Sequence, residues 1–293
     1  MLEQLRALTC FSNIDTIAPI TAGLSSQCYQ VNADNKVFFA KSTTVDETEV
    51  TLIAAKQGLS PKVIYHDQHW LVSQFMTGDN LAQSLKNIDA NIAIAIKLMT
   101  QCHQLNAKPS ELSPSAIIND LINNAHFSTQ QKHDYLHIAE AILPPLNHSS
   151  PLACCHGDVN FSNILIDQQQ NTWLVDYECA CTAPIEYDLA MFIAVNNIVK
   201  DKIPTIIKQY IMEQNFSEQY ISEQDKKHSL ATIEPALLQH YLMFCYFING
   251  LWYFNQYHND SLNSEKLLSL AKQQWQSFNE INKKIESLIL PKL

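Results

Sequence analysis

Glycine is the residue this chain does without. Five glycines, at positions 23, 58, 78, 157 and 250, serve all 293 residues. So few leave no GxGxxG and no GxxxxGK[ST], the glycine-rich turns that cradle phosphate in dinucleotide-binding and P-loop folds. Both folds are excluded, as are collagenous and glycine-rich linker segments. The chain does carry material for a core, with 46% hydrophobic and 16% charged residues. At roughly 100–200 residues per domain, its length fits one large domain or two unequal ones.

Nineteen basic against twenty-nine acidic residues give a net charge of −10. That balance argues against a nucleic-acid partner, which needs clustered Lys and Arg, and favours small cations. The first fifteen residues lack an uninterrupted apolar run, so no signal peptide is expected. No stretch is long and apolar enough to predict a membrane span. A cytoplasmic location is the expectation, and the oligomeric state is left open. Eight cysteines without a CxxC spacing predict reduced, mostly buried thiols rather than a disulfide or zinc framework.

The first third reads as strands. Thr16 to Ala22 is apolar and β-branched, and Cys28 to Asn32 and Val37 to Lys41 flank a turn at Ala33-Asp34-Asn35, a hairpin signal. A helix is expected over Asp46 to Gln57, closed by Gly58. Strands follow at Val63 to His66 and Trp70 to Gln74, and the pattern breaks at Phe75 to Gly78. The spacing predicts one lobe over 1–77 and a second, mainly helical lobe over 78–293. Within the second, a β island is expected at Leu152 to Cys155, Ile164 to Asp167 and Trp173 to Asp176.

The densest polar cluster lies inside that island: His156-Gly157-Asp158-Val159-Asn160-Phe161-Ser162-Asn163, between two apolar strands. Asp176 closes the next strand. A carboxylate and a carboxamide five residues apart, with a second carboxylate at a nearby strand end, meet the needs of metal-assisted phosphoryl transfer. One Asp takes or orients a hydroxyl proton; the Asn and the other Asp offer hard oxygen ligands to Mg²⁺.

CHGDVNFSNILI, then WLVDYECA and PIEYDLAMF, resemble the aminoglycoside phosphotransferase and choline kinase superfamily, most closely its thiamine and choline kinases. The resemblance runs over nearly the whole chain in the same order. It implies an α+β, protein-kinase-like bilobal fold, with a small β-rich N-lobe and a larger helical C-lobe, using ATP and Mg²⁺. It further implies Asp158 as catalytic base, Asn163 and Asp176 as magnesium ligands, and His156 as a brace for the loop. On the nucleotide side it implies a phosphate loop over Thr21 to Gln27 with Ser25 and Ser26, and Lys41 on the α/β-phosphates. Glu49, early in the following helix, is a candidate partner of Lys41, with Glu47 as its competitor, and the sequence does not separate the two. Gln74, Phe75 and Met76 fit an adenine-binding hinge.

The short path from Asp176 to the next helix leaves no platform for a peptide and predicts a small substrate. Aromatic residues crowd Tyr241 to Tyr257 and continue at Trp275. GLW, then AKQQWQSF, resemble the choline kinase tail that encloses a quaternary ammonium, so Trp252 and Trp275 are substrate-binding candidates, with Glu178 and Asp188 adding attraction for a cation. Asn249 stands where choline enzymes carry a further tryptophan. The expected activity is an ATP-dependent kinase of a small cationic alcohol of choline or thiamine type. An aminoglycoside phosphotransferase and a nucleotide-binding pseudokinase are the alternatives.

Overall fold

The computed structural model describes residues 2–20, 27–84, 86–144, 150–218, 232–259 and 264–282. In chain order the elements are α1 (Leu2–Arg6), β1 (Ile14–Ile20), β2 (Cys28–Ala33), β3 (Lys36–Ser42), α2 (Val45–Lys56), β4 (Val63–His66), β5 (Trp70–Gln74), β6 (Asp79–Asn80) and α3 (Ile88–His103). Then come α4 (Pro114–Asn124), α5 (Thr129–Ile142), β7 (Leu152–Cys155), β8 (Ile164–Ile166), β9 (Thr172–Leu174), β10 (Cys181–Pro184), α6 (Ile185–Val195), α7 (Ile203–Glu218), α8 (Pro235–Asn259) and α9 (Ser264–Ile281). Two compact units result: Met1–Ser110 with Cys154–Thr182, and Glu111–Ala153 with Ala183–Leu293. Among the described residues no helix is long and apolar enough to cross a membrane.

The first unit is built on an antiparallel sheet in the order β1-β2-β3-β5-β4. The expected hairpin joins β2 to β3. Its two central residues, Asp34 and Asn35, have φ of 51° and 59°, the left-handed pair that a two-residue turn matched to strand twist requires. Alternation along the strands puts Val31, Ala33, Phe38, Ala40, Trp70 and Val72 into one buried layer with Leu5 and Leu8. The residue after Ala40 therefore faces the other side of the sheet, which is where Lys41 sits. A second, three-stranded sheet, β6-β8-β9, carries the polar cluster at its edge.

Several strand bounds differ from expectation: β1 begins at Ile14 rather than Thr16, and β8 ends at Ile166 rather than Asp167. β9 stops at Leu174, because Asp176 adopts φ 73° and ψ 63° and cannot continue a ladder. β10 is not legible in the sequence: four residues ending at a proline carry too little period-2 pattern to register.

The second unit is helical. α6 is buried from Ile185 to Ala194, with the carboxylates of Glu186 and Asp188 among otherwise mostly apolar side chains. Phe127, in the α4–α5 connection, stacks between Tyr135 at 4.4 Å and Phe254 at 5.1 Å. α8 meets α9 at Gly250, where a β-carbon would overlap the Trp275 indole.

Gly250→Ala would raise the stability of a solvated helix by about 1 kcal/mol. Here the rigid indole cannot yield, and overpacking costs about 1–3 kcal/mol; thermal denaturation should show a lower Tm, and a raised Tm contradicts this packing. In the β4–β5 turn, Asp67 accepts the amides of His69 and Trp70, each at 2.8 Å, and the Tyr65 hydroxyl at 2.9 Å. Burial opposes its charge, but these donors win and hold its carboxyl below the ordinary value. Such a group adds stability above the usual carboxylate pKa of about 4, and that stability is lost as the pH falls through the lower folded value. Asp67→Ala should accordingly flatten the fall of Tm between about pH 5 and about pH 3.

Candidate active site

Lys41, the last residue but one of β3, has only 4% of its surface exposed. Its ammonium donates to Glu47 Oε1 at 2.7 Å, to Asp176 Oδ1 and to Glu178 Oε2 at 3.2 Å. Burial opposes the charge, but Asp176 and Glu47 outweigh it and hold the ammonium above its ordinary pKa. Glu47 is aimed by the start of α2: its amide donates to the N-cap hydroxyl of Thr44 at 3.3 Å, and its Oε2 accepts Thr43 Oγ1 at 2.9 Å. This corrects the expectation for Glu49, which is exposed. Two residues turn a helix by about 200°, so only one of the two carboxylates can face Lys41.

The polar cluster is organised by a buried imidazole. His156 is wholly inaccessible. Its Nε2 lies 3.1 Å from the Val175 carbonyl, which can only accept, so Nε2 carries the proton. Nδ1 is then the acceptor for the Asp158 amide at 3.2 Å. Asn163 Nδ2 donates to the Asp158 carbonyl at 3.1 Å and to its Oδ2 at 2.9 Å, while the Val175 amide donates to the Asn163 carbonyl at 3.0 Å. Val175 is thus bonded both by the Asp158 loop and by Asn163, and the next residue is Asp176. Gly157, at φ 77°, passes so close to the Cys179 carbonyl that a side chain would collide with it.

Asp176 is left-handed without being glycine, which costs roughly 1–2 kcal/mol and is a form of strain that collects at functional sites. Tyr177 pins the turn. It is buried, its ring centroid lies 4.7 Å from that of His156, and its hydroxyl oxygen accepts Ser60 Oγ at 3.0 Å. Ser60, Tyr177 and Thr43 are supporting residues that sequence reasoning did not find. Each has an ordinary identity, and only its contact reveals its role.

The donor set fits a hard divalent cation: the carboxylates of Asp158 and Asp176 and, since Asn163 uses its Nδ2 on Asp158, the Asn163 Oδ1. Glu178, expected beside the substrate's cation, is instead one of the three carboxylates on Lys41. Gln74 is exposed and Phe75 and Met76 are half-buried. The amides of Gln74 and Phe75 donate to Lys62 O at 2.9 Å and Val37 O at 3.3 Å. Ser25 and Ser26 lie outside the described residues.

In the second unit, Asp188 is fully buried on α6. Trp252 is half-buried on α8, edge-on to Tyr253 at 5.2 Å. Trp275 corrects its expectation. At 4% exposure it packs on Gly250, Tyr135 and Phe254 as core.

A curated relative, a probable choline kinase 2 of Arabidopsis thaliana, is 26% identical over 133 residues, which is 42% of this chain and 38% of that protein. The match therefore spans well under half the length of that relative. Among solved structures, choline kinase LicA of Streptococcus pneumoniae superposes with a TM-score of 0.67 at 13% identity, covering 94% of this chain and 97% of that one. A choline/ethanolamine kinase family protein of Mesorhizobium loti does so at 0.66 and 18%, covering 95% of each. At such identities these likenesses show the fold, which is α+β and protein-kinase-like, with a β-rich N-terminal and a helical C-terminal region. Residues 16–219 match the phosphotransferase enzyme family, and with most of its length inside that match the chain belongs to it.

Proposed function

We propose that this phosphotransferase moves the γ-phosphoryl group of ATP to the primary hydroxyl of a small cationic alcohol of choline or thiamine type. One observation carries the reading: the ammonium of Lys41 joins Glu47 of α2 to Asp176, and the residue before Asp176 is bonded by both the Asp158 loop and Asn163. Phosphoryl transfer needs a fixed cation for the phosphates, oxygen ligands for Mg²⁺ and a base for the acceptor, and little else.

In this reading Lys41 binds the α/β-phosphates, and Asn163 and Asp176 would hold Mg²⁺, whose charge would neutralise phosphate oxygens. His156 donates to Val175 and accepts the Asp158 amide, which fixes the loop backbone and leaves the Asp158 carboxylate to orient the acceptor hydroxyl. The acceptor oxygen forms its bond to Pγ, the bridging oxygen leaves with ADP, and the hydroxyl proton passes to Asp158. With the Gln74 and Phe75 amides held by the sheet, the base edge is read by the Met76 amide and neighbouring carbonyls. The lobe assignment of 1–77 to nucleotide and 78–293 to catalysis and acceptor belongs to the same reading.

The acceptor's cation is assigned to the half-buried Trp252 and Tyr253 of α8, with Asp188 as a second candidate. The choline kinase names of the relatives support a small alcohol.

An ADP-release assay over choline, thiamine and an aminoglycoside decides the substrate class: turnover with a single-cation alcohol supports the reading, turnover with the aminoglycoside alone replaces it, and no turnover with any marks a nucleotide-binding pseudokinase. Asp158→Asn should lower kcat by about 10²–10⁴-fold while Mg²⁺ and a non-hydrolysable ATP analogue still bind by calorimetry; wild-type kcat in that variant removes Asp158 from the chemistry. Lys41→Met should instead weaken the analogue. Trp252→Ala should raise KM for the cationic acceptor by roughly 2- to 30-fold, the range of one cation–π contact, with KM for ATP unchanged.

A further inference from the structure

The first unit contains a closed ring of contacts that nucleotide chemistry alone does not explain. On one side, Glu47 of α2 and Asp176 and Glu178 of the 176–182 segment converge on Lys41. On the other side, the same two stretches meet again at a connector after α3. Asp46, the neighbour of Glu47, accepts through Oδ2 both the Ser110 hydroxyl at 2.6 Å and the Ser110 amide at 3.0 Å. The Ser110 carbonyl accepts the Thr182 amide at 2.9 Å, and Thr182 Oγ1 donates to the Pro109 carbonyl at 2.7 Å. The path Lys41–Glu47–Asp46–Ser110–Thr182–Glu178–Lys41 closes on itself.

We propose that Ser110 is a positioning residue, which by clasping Asp46 sets the first turn of α2 and so keeps Glu47 on Lys41. Asp46 and Glu47 are adjacent, so they point about 100° apart on the helix. Fixing both leaves the turn no freedom to rotate. The clasp comprises hydrogen bonds to an ionised carboxylate, the stronger kind, and the Ser110 hydroxyl first and its amide second hold the Asp46 carboxyl below its ordinary value. A threonine at 110 keeps the hydroxyl; an alanine removes it and leaves the amide alone. The inference rests on the reading of Lys41 as the phosphate-binding cation.

The test compares wild type, Ser110→Ala, Ser110→Thr and Lys41→Met by two measurements: hydrogen exchange across α2, and calorimetric affinity for a non-hydrolysable ATP analogue with Mg²⁺. Ser110→Ala should speed exchange at the start of α2, leave the β1–β3 amides as in wild type, and weaken the analogue roughly tenfold, the scale of one charge-assisted hydrogen bond. Ser110→Thr should restore both. Unchanged exchange in α2, exchange raised throughout the unit, or no rescue by threonine overturns the proposal. So does faster α2 exchange with wild-type affinity when Lys41→Met loses affinity. If Lys41→Met itself binds like wild type, the nucleotide reading of Lys41 has failed, and the inference falls with it.

Discussion

A single buried ammonium organises the first unit. Lys41 has almost no access to water, and removing an ammonium from water costs several kcal/mol unless its partners are well placed. The partners here are carboxylates from two stretches of chain more than a hundred residues apart. Each stretch is itself constrained: α2 by its Thr44 cap and the Asp46 clasp, the 176–182 segment by Tyr177 and the left-handed Asp176. The lysine therefore does not merely sit in the sheet; it sets where the helix and the loop come to rest.

Three carboxylates around one ammonium leave an excess of negative charge. Next along the same chain of contacts, Asn163 donates to the carbonyl and to Oδ2 of Asp158 and accepts the amide of Val175, the residue before Asp176. His156 joins the two halves. As a neutral imidazole with its proton on Nε2, it satisfies a carbonyl with one nitrogen and an amide with the other. Its two contacts tie the Asp158 backbone to the residue that precedes Asp176.

Much of this was legible in the amino-acid sequence. Asp158, Asn163 and Asp176 stood out because polar residues were packed between apolar strands, and the hairpin at Asp34-Asn35 because only a few residue types tolerate two left-handed positions in succession. The resemblance carried by CHGDVNFSNILI and WLVDYECA supplied the fold. Glu47 against Glu49 was not legible: both are glutamates early in α2, and the winner depends on how the Thr44 cap sets the helix phase. Trp275 misled because an aromatic in a helix reads the same whether it lines a pocket or fills a core. The small Gly250 opposite it was the signal, but a signal only once α8 and α9 were known to cross there.

By itself, the sequence determined the chemical alphabet of the site, the order of the longer strands and helices, and the exclusion of glycine-built phosphate turns, because all of these depend on residue type and local spacing. Only the tertiary structure decided which carboxylate meets Lys41, that Glu178 joins it, and that Asp46, Ser110 and Thr182 close the ring behind it. Those outcomes turn on helix phase and on distances between residues far apart in the chain, and such distances are fixed by packing rather than by any local preference.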